Sequence, residues 1–266
     1  MKAVPRFSVI YEDGEIIAVN KASGISVCPD RWDESKERLD RLVAETLNLS
    51  PRIFTVHRID RDTSGLVLFA KDEASHRRLS LAFEGRTIAK RYIAVVNGRP
   101  PWKETACDLP LVPNGNKRHM TIVDRFRGKK SLTRFVVLGS AGNYSLLEAL
   151  PETGRTHQIR VHAAELGFPV VCDPLYGRGK AVLLSSIKRN WRGNSQEERP
   201  LLARLGLHAA GLSLPTDVLL DGRNGGLALH APLPRDMAAL VSQMEKLLGV
   251  SIYDRKSVLP WENSKK

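Results

Sequence analysis

The stretch His57-Arg58-Ile59-Asp60-Arg61-Asp62-Thr63-Ser64-Gly65, followed at once by Leu66-Val67-Leu68-Phe69, decides how this chain is read. It sets two carboxylates, two guanidiniums, an imidazole, two hydroxyls and a glycine between apolar Ile53-Phe54 and the apolar run. That run is short, β-prone and bounded by Lys71-Asp72, which predicts a buried strand. Polar groups beside a core strand need partners, because a buried polar group must be paired and a buried charge is costly. Alternation sends Ile59 and Asp60 in opposite directions, so Ile59 can anchor the loop while Asp60 faces a cleft. A polar turn with a surface ion pair is the plain alternative. The density of chemical groups favours a functional loop.

At 266 residues the chain can bury one large core or two modest ones. No apolar run approaches the ~20 residues that span a bilayer, so no membrane association is expected. Met1-Lys2-Ala3-Val4-Pro5-Arg6 lacks the apolar stretch of a secretory signal. Cys28, Cys107 and Cys172 are odd in number and fall in no zinc-spaced cluster, which predicts reduced thiols in a cytoplasmic protein. The net charge of +12 favours a polyanion, most commonly a nucleic acid. The cations cluster. Lys117-Arg118-His119, Arg125 to Lys130 and Arg134 form one basic segment with only Asp124 opposing it. Arg178 to Arg192 forms a second, with Trp191 interleaved, a mixture suited to phosphate contact and base stacking or to packing on the body.

Phe7–Tyr11 and Glu15–Val19 read as a hairpin across Asp13-Gly14. Helical spacing predicts amphipathic helices over 38–49 and 73–83, the second with Ala74, Leu79 and Phe83 inward. Strands are predicted over 88–96, 132–138 and 144–150, a helix over 156–166 and a terminal helix over 237–248. Within 88–96, alternation sets Tyr92 opposite Arg91 and Ile93. Strands and helices without regular βαβ alternation predict an α+β fold with a mixed, largely antiparallel sheet. Residues 178–203 read as a basic insertion over the body, and 249–266 as a tail, frayed after Pro260.

Pro151-Glu152-Thr153-Gly154-Arg155-Thr156-His157-Gln158-Ile159-Arg160-Val161-His162 is the second chemical stretch. A helix from Thr156 puts 156 with 160, and Gln158 with His162, on shared faces. On its own Arg160 could be a solvated surface residue or a partner for a distant carboxylate.

Together these segments resemble the RluA-type pseudouridine synthases. His57 to Gly65 is similar to their HRLDxxTSG motif, Lys90-Arg91-Tyr92-Ile93-Ala94-Val95 to KxYxAxV, and Thr153 to Arg160 to TGRTHQIR. Gly167 to Gly177, Leu207-His208-Ala209 and Ala231 to Pro234 match later family segments, so the resemblance covers residues 8–248. It implies the family's catalytic fold with a central RNA-binding cleft, and isomerisation of a uridine to pseudouridine in structured rRNA or tRNA. Asp60 stands at the catalytic aspartate, Tyr92 at the tyrosine that stacks on the target base, and Arg160 at the arginine that pairs with the aspartate. Arg58 matches the arginine that enters the RNA stack, and Lys21 a basic residue of the first motif. Arg155, Lys129 and Lys130 join Arg58 and Lys21 as expected substrate contacts. Two departures stand out. Ala22 replaces a usual proline, and Cys172 a small residue, often glycine. No S4-like N-terminal module is expected.

The reaction breaks the N1–C1′ bond and rejoins the base through C5, with no redox change or group donor, so no cofactor is expected. No metal is expected either, because His157 and His162 lack H-E-x-x-H spacing. A kinase catalytic loop is excluded by Ile59 between Arg58 and Asp60, and by the lack of G-x-G-x-x-G and D-F-G. A monomer is expected. The rival reading is a non-catalytic RNA-binding or ribosome-assembly protein on the same fold.

Overall fold

The computed structural model describes residues 5–29, 37–49, 53–188, 190–219 and 225–253. Arg189 and the tail beyond 253 lie outside the described residues. In chain order the elements are β1 (Phe7–Glu12), β2 (Ile16–Lys21), α1 (Leu39–Thr46), β3 (Phe54–Thr55), β4 (Ser64–Ala70), α2 (Glu73–Glu84), β5 (Ala89–Asn97) and β6 (Glu104–Cys107). Then follow β7 (Leu111–Val112), β8 (Ile122–Val123), β9 (Thr133–Ala141), β10 (Tyr144–Pro151), α3 (Gln158–Glu165), β11 (Leu207–Leu214), β12 (Leu227–His230) and α4 (Arg235–Leu248). The fold is α+β, with strand pairing mixed but mostly antiparallel, as the sequence predicts. The described residues fall into two compact units, one drawn from 5–91 and 208–232, the other from 92–207 and 233–253.

In the first unit β1 and β2 form the expected hairpin. Its turn is fixed by Asp13, whose Oδ1 accepts from the N–H groups of Glu15 and Ile16, each at 2.8 Å. β2 pairs antiparallel with β4, β3 with the far end of β4, and β12 with β11. The parallel pair β4–β11 makes the pattern mixed. Every residue of β4 is buried, because neighbours occupy both edges and the core covers its faces. Leu66, Leu68, Leu79, Leu212 and Leu229 belong to that core. Helix α2 starts where Asp72 caps it, accepting from Ser75 N at 2.8 Å. Leu79 is inward and Phe83 partly so, as expected, but Ala74 is exposed and Ser75 takes the buried position. The cap is the reason: Asp72 Oδ2 accepts from the Ser75 hydroxyl at 2.7 Å, so that polar side chain is already satisfied when buried.

In the second unit β5, β10, β9 and β6 run antiparallel in that order, and β7 with β8 makes a separate small hairpin. Helix α3 covers a core containing Ala94, Val96, Phe135, Leu147 and Ala149, and Tyr92 packs against the same core. Tyr92 therefore shares a face with Ala94 and Val96, as alternation predicts. The basic stretch 178–203 does more than overlie the body: Val182, Ile187 and Leu202 are buried, and Val182 N donates to Leu202 O at 2.8 Å. Trp191 is half-buried, with Gly193 against its ring.

Candidate functional site

Asp60 sits on a turn held from several sides. Ile59 is buried and Asp60 half-buried, the division that alternation predicts. Thr63 N donates to Asp60 O at 3.1 Å, closing the turn. The loop after β2 then grips the next two carbonyls. Arg61 O accepts from Lys21 Nζ at 2.8 Å and from Gly24 N at 2.8 Å, while Asp62 O accepts from Ser23 Oγ at 2.7 Å. Lys21 Nζ also donates to Ala22 O and Ile25 O, each at 2.9 Å.

This corrects the expectation for Lys21. At 1% exposure, with its ammonium directed at three backbone carbonyls, Lys21 is a buried brace for the Asp60 loop and is not placed to touch RNA. A buried ammonium needs such acceptors, and three carbonyl oxygens match its three N–H donors. The loop also explains Ala22. Its N–H donates to Arg6 O at 2.8 Å, a bond that proline could not make.

The ends of the motif are structural. Gly65 has φ of 117°, and a Cβ there would lie 2.2 Å from Ala209 O, so only glycine allows β4 and β11 to meet. Ser64 Oγ and His208 Nδ1 are 3.0 Å apart, and His208 Nε2 donates to Ala231 O at 3.1 Å. With Nε2 donating, Nδ1 of the neutral ring accepts from the serine.

His57 is a strand edge made from a side chain. β3 ends at Thr55, and His57 Nε2 accepts from Leu68 N at 2.9 Å, taking over from the missing strand. Its ring stacks on Phe83 with centroids 4.5 Å apart. Burial, and then the charge of Lys90, pushes its pKa from 6.5 down to about 3, so the neutral acceptor form persists at neutral pH. Arg58 is exposed.

In the second unit the Thr153–His162 stretch is a hydrogen-bond network. Gln158 Oε1 accepts from Thr153 Oγ1 at 2.7 Å and from Arg155 N at 3.0 Å. Its amide donates to Leu132 O at 3.0 Å and to Thr133 Oγ1 at 2.9 Å. Thr133 Oγ1 lies 3.0 Å from His162 Nδ1, and His162 Nε2 donates to Leu109 O at 3.0 Å. The predicted pairing of Gln158 and His162 on one helical face thus converges on Thr133. The helix begins at Gln158, two residues later than expected, because His157 adopts a left-handed φ of 55°. Both nitrogens of His162 are engaged, and burial, opposed by the Leu109 carbonyl, holds its pKa below the usual histidine value.

Arg160 is 3% exposed, which rules out a solvated surface role. Its Nε and Nη2 donate to Asp173 Oδ2 and Oδ1 at 2.7 and 2.8 Å, a two-pronged buried ion pair. Asp173 Oδ1 also accepts from Leu175 N at 2.9 Å and Tyr176 N at 3.1 Å. Burial pushes the Asp173 pKa up, but the Arg160 hydrogen bonds and charge, with these two N–H groups, more than offset it and hold it below the usual carboxylate range. The other side of Arg160 is covered by Tyr176, whose ring centre is 5.2 Å from the guanidinium carbon. Tyr176 OH accepts from Thr121 N at 2.9 Å and lies 2.9 Å from His157 Nδ1. Sequence reasoning missed Asp173 and Tyr176. The signal was Asp173-Pro-Leu-Tyr176-Gly177, a matched segment to which no role was given.

Lys129 and Lys130 are exposed on the basic segment. Arg155 joins them, its Nε donating to Lys130 O at 3.2 Å. Cys172 is buried at φ 58°, a left-handed conformation that explains why glycine suits the position.

The chain is similar in sequence and fold to known proteins over most of its length. The family model described as RNA pseudouridylate synthase matches residues 15–165. The ribosomal large subunit pseudouridine synthase D of Zymomonas mobilis is 33% identical over 246 residues, covering 89% of this chain and 72% of the relative. The dual-specificity RNA pseudouridine synthase RluA of Vibrio cholerae is 39% identical over 178 residues, 67% of this chain and 71% of that protein. The solved structure of human RNA pseudouridylate synthase domain containing 1 superposes with a TM-score of 0.65 at 26% identity, over 88% of this chain and 87% of the other. Family model, relatives and fold agree: this chain belongs to the RNA pseudouridylate synthase family.

Proposed function

We propose that the protein isomerises a specific uridine to pseudouridine in structured RNA, rRNA or tRNA, with Asp60 as the catalytic carboxylate. The observation that carries this reading is the loop itself. A half-buried carboxylate rides on a turn whose following carbonyls are held by Lys21, Ser23 and Gly24. A carboxylate so held can attack C1′ or take a proton from C2′ without reorganising its support. Tyr92 is the platform for the detached uracil, and its phenol can relay the C5 proton. Arg160, held by Asp173 and covered by Tyr176, is the third residue of the catalytic set. Arg58 fills the space the uridine leaves when it flips out, a step costing a few kcal/mol. Lys129, Lys130 and Arg155 contact phosphates. The relatives named for the ribosomal large subunit and for dual specificity support rRNA, or more than one RNA, as substrate. A monomeric cytoplasmic enzyme fits this reading. In its support, no helix among the described residues is long and apolar enough to cross a membrane, and all three cysteines are free.

Tritium release from RNA labelled at uridine C5 tests the proposal. Asp60→Asn keeps shape and removes the charge, so it should abolish release while leaving RNA affinity within about twofold. Retention of a tenth of wild-type activity would remove Asp60 from the catalytic role. A wild-type protein that binds RNA and releases no tritium would favour the non-catalytic reading.

A further inference from the structure

We propose that Phe126 is a stacking platform for an unpaired base of the RNA substrate, presented at the tip of a braced cationic loop. The inference rests on the function proposed above and adds a contact distant in sequence from the Asp60, Tyr92 and Arg160 motifs. Phe126 is 100% exposed, whereas the next most exposed large hydrophobics among the described residues are Val250 at 60% and Leu81 at 59%. Every other phenylalanine of the chain is buried or half-buried. A single exposed hydrophobic residue is ordinary. Here the surroundings make it informative.

The loop holds the ring out. Asp124 Oδ1 accepts from Phe126 N and Arg127 N, each at 2.9 Å, and Oδ2 accepts from Arg127 Nε at 2.8 Å. Gly128 N donates to Asp124 O at 2.9 Å, and Asp124 N to Pro110 O at 3.1 Å. Leu111 and Lys129 exchange two backbone hydrogen bonds at the base, at 3.1 and 3.0 Å. A Cβ at Gly128 would lie 2.3 Å from Asp124 O, so the backbone is already packed tightly there. A loop tied at Asp124, Phe126, Arg127 and Gly128 does not fold over to bury its own aromatic ring.

The chemistry around the ring selects its partner. Arg125, Arg127, Lys129 and Lys130 are all exposed, and Asp124 answers only Arg127 directly. An apolar face framed by cations matches a nucleotide, with the ring on the base and the cations on the phosphates. Bases within a duplex have both faces covered, so the partner is a looped-out or single-stranded base. Stacking of this kind tolerates any base, which makes Phe126 a reader of RNA shape.

The test measures binding of protein-free, unmodified large-subunit rRNA and tRNA transcripts, labelled at uridine C5, over a range of salt. Phe126→Ala and Phe126→Leu should bind the preferred transcript roughly 5- to 100-fold more weakly with an unchanged salt slope. Phe126→Trp should restore affinity to within about threefold of wild type. Arg125→Gln should instead flatten the slope. Thermal unfolding of all four should match wild type, since the ring has no packing to lose. Wild-type binding by Phe126→Ala overturns the proposal and leaves Phe126 for a protein partner. Wild-type binding by Phe126→Leu alone also overturns it, because generic apolar contact would then suffice. Absence of tritium release from the wild type sinks the enzymatic reading, while the affinities still judge Phe126. If the wild type binds neither transcript, both proposals fall.

Discussion

Removing the guanidinium of Arg160 should expose how the second motif is built. Arg160→Met keeps length and apolar bulk but leaves Asp173, fully buried, with a charge answered only by Leu175 N and Tyr176 N. Breaking a buried pair from one side costs about 3–5 kcal/mol, because the remaining ion is stranded. The two surviving N–H bonds put the expected loss near the lower end. Asp173→Asn should also destabilise, since an amide cannot reproduce the two-pronged, charge-assisted contact with Arg160. The double mutant removes both charges of the pair, so the loss should be about 2–4 kcal/mol, well short of the sum. The pH dependence has a definite sign. In the wild type the lowered Asp173 pKa contributes stability above about pH 4, and this is lost as pH falls. In Arg160→Met burial prevails and the pKa rises, so protonation relieves the mutant and its deficit narrows in acid. Urea titrations of the four proteins at pH 7 and pH 4.5, with slopes compared for two-state behaviour, measure all of this. Additive losses, or Arg160→Met within about 1 kcal/mol of wild type, would refute the coupled pair.

Two further outcomes follow from other parts of the molecule. Replacing Lys129 and Lys130 by glutamine should flatten the plot of log affinity against log salt by roughly 1.4 to 1.8 and leave the modified uridine unchanged. A shifted target at constant slope would mean that these lysines read structure. His57 has a folded pKa of about 3 against 6.5 unfolded, so its contribution to stability is intact above pH 6.5 and erodes as pH falls toward 3. By pH 5 the erosion is at most about 2 kcal/mol, because the half-buried ring retains some hydration. His57→Gln keeps an acceptor and should lose correspondingly less stability between pH 7 and 5, as unfolding midpoints will report. Equal losses would remove His57 from the acid response.

Much of the architecture was legible because local pattern and tertiary environment agreed. The apolar run after Gly65 is the buried strand β4, the Asp13-Gly14 turn closes its hairpin, and Gln158 with His162 shares a helical face. What stayed hidden depends on approach between distant segments. Nothing local distinguishes Lys21 from a surface lysine until Arg61, forty residues on, supplies a carbonyl. The partnership of Arg160 with Asp173 is equally silent, since helical spacing says which way a side chain leaves its axis and not what it meets. The extra β6, β7 and β8 are short, and strands of two to four residues carry too few alternations to register. For Ala74 the error had a visible cause. Periodicity assigned the inward place to the apolar residue, whereas capping gave it to Ser75.

Ala22 has a consequence for how the loop behaves with temperature. A proline stiffens a loop through a covalent ring, which cannot open. Here the restraint is an N–H donated to Arg6 O, a reversible link that water can replace. The support beneath Asp60 therefore contains a component that frays on warming, the link to Arg6. The brace from Lys21 persists through the same heating, because three acceptors must be surrendered together. Heat should loosen the entrance to the loop before it displaces the carboxylate, so the Asp60 turn outlasts the segment that leads into it.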